Sequence, residues 1–168
     1  MQGGGAGGNT NATSTYVSGG SAGGYAMKVI DVSSVTQAVI TIGAGGAGAA
    51  SYGAGTDGGD SQWLDTAFSG TSDIKGVKGV SNTGTYPTSV GGLGVNGDVN
   101  IQGGSGKVGP YDNADGGDSM FGHGGRGGDA ARAPASPSSG YGSGGGGLSA
   151  GNPGTAGQPG IIIVWEYI

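Results

Sequence analysis

Glycine recurs every third residue over long stretches of this chain. Gly91, Gly94, Gly97, Gly103, Gly106 and Gly109 share one register, broken only by Asn100. Gly142, Gly145, Gly151, Gly154, Gly157 and Gly160 share another, broken only by Leu148, and Gly116, Gly122, Gly125 and Gly128 make a third row. A period of three belongs neither to the α-helix nor to the β-strand. It is the period of the polyproline-II conformation, which has three residues per turn and no internal hydrogen bonds. The spacing predicts a bundle of polyglycine-II helices packed side by side, with a few short β-strands and no α-helix.

Such a bundle has to overcome a large entropic cost. Glycine loses more backbone freedom on ordering than any other residue, and the chain has 46 glycines in 168 residues. Apolar side chains make up only 33% of the sequence, so a conventional core is modest. Backbone bonding between neighbouring helices is the compensation the composition suggests, helped by weak Cα–H···O contacts. Disorder is the competing reading of so much glycine. It normally goes with low hydrophobicity and high net charge, whereas here 10% of residues are charged and apolar segments are spread throughout.

The formal charge of −5 argues against nucleic acid as a partner, since its binders are usually basic. Without cysteine there is no disulfide or thiolate chemistry. No signal peptide is visible, and the longest apolar run is far too short to span a bilayer.

Strand-like segments are expected at 25–32 and 37–42, joined as a hairpin, and at 62–68, 98–102 and 161–168. The last is the strongest, with β-branched and aromatic residues throughout. Glycine runs occupy 3–8, 19–24, 43–48, 76–79, 91–97, 103–109, 116–128 and 142–160. Between pairs of runs lie five polar stretches: 9–18, 49–57, 80–90, 110–115 and 129–139. If each run crosses the molecule once, the strands gather at one end and the polar loops at the other. Six residues of such a helix span roughly 19 Å. An internal repeat marks two equivalent re-entries from a loop into the bundle: Asp57-Gly-Gly-Asp-Ser-Gln-Trp63 and Asp115-Gly-Gly-Asp-Ser-Met-Phe121. Trp63 and Phe121 are expected as buried plugs.

Several segments, in this order, resemble the glycine-rich domain at the tips of bacteriophage tail fibres. They are Gly23-Gly-Tyr-Ala-Met-Lys-Val-Ile-Asp-Val32, Val39-Ile-Thr-Ile-Gly-Ala-Gly-Gly-Ala-Gly48, Gly97-Asp-Val-Asn-Ile-Gln-Gly-Gly104, Ser119-Met-Phe-Gly-His-Gly-Gly-Arg-Gly-Gly128 and Pro159-Gly-Ile-Ile-Ile-Val-Trp-Glu-Tyr167. The architecture is similar to that of T-even-type tip adhesins, which display variable loops on packed polyglycine-II helices. The resemblance implies one receptor-binding tip domain over 1–168, attached to a longer fibre or excised from one. It also implies a place on the virion at the distal tail fibre, acting outside the host cell. The implied partners are a bacterial outer-membrane protein or surface glycan and the rest of the fibre. A homotrimer is implied where the domain is part of the fibre itself.

Tyrosine offers rigid contact area with a polar tip at low entropic cost. Tyr16, Tyr52, Tyr86 and Tyr111 fall in loops, and Tyr141 falls at a loop margin. Together with Pro87, Asp112 and Asn113 they are the candidate receptor-binding residues. The bland alternative is that each tyrosine covers its own loop.

No catalytic residue, cofactor or metal site is expected. Gly43-Ala-Gly-Gly-Ala-Gly48 matches the dinucleotide fingerprint, but no helical pattern follows it. Asp57, Asp60, Asp112, Asp115 and Asp118 do not have the spacing of a known calcium loop, and turn formation is the simpler use of such residues. His123 is the only histidine and lacks an orienting shell. Arg126, Lys75, Lys78 and Lys107 are expected to bond backbone carbonyls or to stay solvated. The lead reading is therefore a non-enzymatic adhesin. A purely structural fibre segment and an ice-binding protein are the alternatives.

Overall fold

The computed structural model describes residues 1–11, 16–33, 35–65, 73–82, 89–110, 114–128, 135–149 and 152–167. None of these residues is helical. The strands are β1 (Thr10–Asn11), β2 (Tyr16–Ser18), β3 (Tyr25–Met27), β4 (Ala38–Thr41), β5 (Ser61–Asp65), β6 (Ile74–Gly76), β7 (Gly94–Val95), β8 (Val99–Ile101), β9 (Val108–Pro110) and β10 (Leu148–Ser149). A four-stranded antiparallel sheet runs β4-β5-β6-β7, and the remaining strands form the pairs β1-β10, β2-β9 and β3-β8.

Glycine-rich runs connect these pieces. The chain shuttles between two ends of the molecule along 2–9, 18–24, 43–49, 54–60, 76–82, 89–93, 102–107, 114–119, 122–128, 135–140, 142–149 and 152–160, and consecutive runs point in opposite directions. One end, the base, gathers β3 to β8. The other, the crown, holds β1, β2, β9 and β10 with the loops between runs.

The first run shows how the runs are held. Its amides donate in turn to three neighbours. Gly3, Ala6 and Asn9 bond the carbonyls of Gly24, Ser21 and Ser18; Gly4, Gly7 and Thr10 bond those of Gly59, Thr56 and Gly53; Gln2, Gly5 and Gly8 bond those of Ile161, Gln158 and Thr155, all at 2.8–3.0 Å. Its carbonyls accept from three further runs, through Gly79 onto Gly4, Gly46 and Ala49 onto Gly5 and Gly8, and Gly145 and Leu148 onto Ala6 and Asn9. The donors face antiparallel neighbours and the acceptors parallel ones, so one run is surrounded by six. Each neighbour is met once every three residues, which gives the glycine period its physical cause.

The core is consequently backbone rather than oil. Every residue from Gln2 to Thr10 is buried, as are 17–24 and 142–149. The largest fully buried side chains are Gln2, Ser21, Ser61 and Ser143. Each bonds the backbone: Gln2 Nε2 donates to Gly23 O at 2.6 Å, and Ser61 Oγ accepts from Gly43 N at 3.0 Å, while Gln2 Oε1 has no partner among the described residues. Close approach is what demands glycine here. A Cβ on Gly5 would lie 2.0 Å from the Ser143 carbonyl oxygen, and one on Gly7 would lie 1.9 Å from that of Ala47. Gly140 and Gly142 have φ of 73° and 75° at a tight reversal in the base, a backbone state that L side chains avoid.

Several sequence expectations need correction. Residues 25–32 and 37–42 do not form a hairpin with each other: β3 pairs with β8 and β4 with β5. The sequence between 161 and 167 contributes only an isolated bridge from Ile161 to Gln2. Strand propensity alone does not make a strand where the segment bonds no neighbouring backbone. The run 142–160 is two runs, 142–149 and 152–160, which point in opposite directions. Phe121 is 39% exposed rather than buried. It packs edge-on against Tyr25, with ring centroids 5.6 Å apart. Trp63 is half-buried in β5, opposite Ile40.

Candidate functional site at the crown

The crown is positioned by the ends of the interior runs. Thr10 and Gly53 exchange both backbone hydrogen bonds at 2.9 Å, which ties the 50–53 turn to the first run. β2 pairs with β9 through Tyr16↔Pro110, Val17↔Gly109 and Ser18↔Val108. Tyr16 and Tyr52 emerge from this frame 37% and 64% exposed. Tyr86, Pro87, Tyr111, Asp112 and Asn113 lie outside the described residues, but the residues that flank them do not. Asn82 and Ser89, like Pro110 and Ala114, sit at crown ends of runs, and Ser89 Oγ donates to Gly19 O at 3.1 Å.

Tyr141 belongs elsewhere. Its backbone bridges Phe121 in the base, and Ser119 Oγ donates to its carbonyl. The reversal at 140–142 between two runs puts it at the opposite end from Tyr16. The sequence suggested a crown position because the polar stretch before it resembled the margin of a loop. The structure thus brings Tyr16 and Tyr52 to one end and separates Tyr141 from them.

A residue the sequence did not single out organises the crown from beneath. Asn9 is buried at the end of the first run. Its Nδ2 donates to Ser18 Oγ at 2.8 Å and to the Asn82 carbonyl. Its Oδ1 accepts from Gly55 N at 3.0 Å and Ser81 Oγ at 2.9 Å. One amide therefore joins the end of its own run to those of three others, 18–24, 54–60 and 76–82. The available signal was a lone Asn closing a glycine run, where a branched polar group can replace several backbone partners at once. Beside it, Thr10 Oγ1 and Ser149 Oγ are buried with no hydrogen-bond partner among the described residues.

The two Asp-Gly-Gly-Asp repeats are equivalent, as expected, and their chemistry is now visible. Asp57 and Asp60 accept the amides of Ser81 and Lys78, both at 2.8 Å. Asp115 and Asp118 accept those of Gly127 and Gly124, at 3.0 and 2.8 Å. Residues three apart face the same neighbour, so each Asp pair supplies two carboxylates where the bundle edge lacks backbone acceptors. Lys78 lies 3.0 Å from Asp57, and Lys107 lies 2.9 Å from Asp115. Lys75 approaches Asp60 at 3.7 Å. The lysines thus pair with carboxylates rather than with carbonyls. Burial pushes the Asp57 carboxyl up, but the Ser81 amide and Lys78 outweigh it and hold the carboxyl below its ordinary value. Asp115 behaves alike: burial raises it, and Lys107, the Gly127 amide and Arg126 bring it down. His123 is exposed, 3.8 Å from Asp118. Among the described residues no group of His and acidic side chains could hold a metal ion.

A shallow groove of about 410 Å³ crosses the side of the bundle, between Lys107, Arg126 and the Asp115–Asp118 edge. Its acids already accept backbone amides, and Asp115 also pairs with Lys107.

A family model for a glycine-rich domain matches residues 1–167. The chain belongs to this glycine-rich domain family. That match spans base, bundle and crown alike. No curated protein matches the chain in sequence.

Proposed function

We propose that this glycine-rich domain is a receptor-binding tip: a non-enzymatic adhesin of a bacteriophage tail fibre, acting on the virion outside the host cell. In this reading the runs are polyglycine-II helices. Support comes from the backbone bonding of the first run, which returns to each neighbour every three residues, the period of that conformation. The observation that carries the function is the division of labour between the ends. Exposed Tyr16, at the start of β2, and Tyr52, in the 50–53 turn, stand on run ends held by backbone hydrogen bonds. Binding residues are commonly carried on loops held by a stiff scaffold.

Tyr16, Tyr52, Tyr86, Pro87, Tyr111, Asp112 and Asn113 form the proposed surface. Its ligand is an outer-membrane protein or a surface glycan, both of which suit aromatic faces flanked by amides and carboxylates. The test is binding of the purified chain to cells of candidate host strains. Strain-selective binding should fall at least tenfold for Tyr52→Ala combined with Tyr86→Ala and Tyr111→Ala, since a buried aromatic anchor commonly contributes more than about 1 kcal/mol. Tyr141→Ala, at the other end, should leave binding unchanged. Absence of binding to every host by a folded chain would remove the reading in favour of a structural segment.

A further inference from the structure

The base is unlike the crown in one respect. Exposed large apolar side chains concentrate there: Met27, Val29, Val39, Ile40, Ile42, Leu93, Met120, Val164 and Trp165 are all between 42% and 85% exposed. At the crown only Tyr16, Tyr52 and Val90 are comparable among the described residues. Large side chains of this number and exposure present on the order of 1,000 Å² of apolar surface. A stable interface needs about 800 Å² from each partner, an amount this end can supply.

Two unpaired β-elements lie within this surface. β4 is the outer strand of the four-stranded sheet, and nothing among the described residues bonds its free edge. Its apolar residues Val39 and Ile40 are about half exposed, at 46% and 48%. The second element is the C-terminal segment 162–167, which makes no backbone hydrogen bond among the described residues although its composition is that of a strand. Gly160 donates to Gly43 O at 2.8 Å, so the segment leaves the bundle beside the root of β4. An open edge is a template for another strand, and here the same chain carries both the template and an unused strand.

We propose that the base is an interface between copies of this chain, in which the 162–167 segment of one copy adds to the β4 edge of another. The exchange bonds both orphan elements and covers the apolar end. It leaves every crown directed away from the contact. Reciprocal exchange closes a dimer and cyclic exchange closes a ring; either satisfies the requirement that the contact be self-limiting.

The absence of cysteine makes the test clean. Single variants Ile40→Cys and Val164→Cys, carrying different mass tags, are mixed and oxidised. Disulfide-linked pairs containing one of each are expected, together with oligomers of the wild-type chain in sedimentation velocity. Val164→Lys should weaken assembly more than tenfold. That position lies where no described backbone bond can be broken, so an unchanged circular dichroism spectrum separates lost assembly from lost folding. A wild-type chain that stays monomeric at its highest soluble concentration overturns the proposal. So does an intrachain disulfide alone when Ile40→Cys and Val164→Cys are combined in one chain, which would mean that the segment folds back on its own β4. Neither result bears on the crown, because cell binding is measured separately.

Discussion

Replacing Gly5 by alanine adds one methyl group, and the bundle has no room for it. Gly5 lies in the buried first run, and its new Cβ would sit 2.0 Å from the Ser143 carbonyl oxygen, 2.4 Å from its carbon and 2.8 Å from the Gly142 oxygen. These are backbone atoms, so no side chain can rotate away. Relief requires the first run and the 142–149 run to part by more than about 1 Å, judged against ordinary carbon contacts of about 3.5–4.0 Å. The bonds at risk are Gly145 N to Ala6 O at 2.8 Å, Leu148 N to Asn9 O at 3.0 Å and, on the far side, Gly5 N to Gln158 O at 2.9 Å. A buried group left unsatisfied costs about 1–3 kcal/mol. Two such losses put the substitution at about 4 kcal/mol, among the largest single-residue effects and a substantial part of the about 5–15 kcal/mol that typically holds a domain together. Chemical unfolding, followed by the fluorescence of half-buried Trp63, measures it. Ala47→Ser, on an exposed position of a peripheral run, is the control and should stay within about 0.5 kcal/mol. A folded Gly5→Ala protein within about 1 kcal/mol of wild type would refute the view that backbone proximity, rather than side-chain burial, holds the fold.

Asn9→Ala removes the amide that meets Ser18, Asn82, Gly55 and Ser81, and should cost about 3 kcal/mol by the same unfolding measurement. A value under about 1 kcal/mol would show that water replaces the amide without loss. The carboxyls of Asp57 and Asp115 are held below the ordinary aspartate value of 3.8 in the folded state. A depressed carboxylate contributes stability above its unfolded value and loses it as pH falls through the folded one. Thermal melting points should therefore be flat down to about the ordinary aspartate value and decline below it, and Asp115→Asn should make that decline shallower.

How much was legible in the sequence follows from the kind of force involved at each position. Rows such as Gly142-Gly145 and Gly154-Gly157-Gly160 report a local requirement, that every third residue face a neighbour too close for a side chain. The Asp-Gly-Gly-Asp repeat reports another, two acceptors at the same spacing on a bundle edge. Both are written residue by residue, so period and repeat could be read directly. The absence of helix and the location of β5 and β8 followed from local composition in the same way.

Partnership was not legible, because glycine runs carry no side chains to specify which run lies beside which. β3 finds β8 rather than the nearer β4, and Gln2 is the most deeply buried long side chain although a glutamine beside the first methionine looks like surface. Tyr141 looked like a crown residue because the polar stretch 129–139 reads as one loop, when its second half, 135–140, is a run that carries the chain back to the base. A reversal in a glycine chain needs no distinctive residue, and only the packed bundle shows on which end it falls. The sequence by itself determined the period and the backbone-built core. The tertiary structure decided which end each residue occupies and which strands are left without partners, since both depend on backbone hydrogen bonds between segments far apart in the chain.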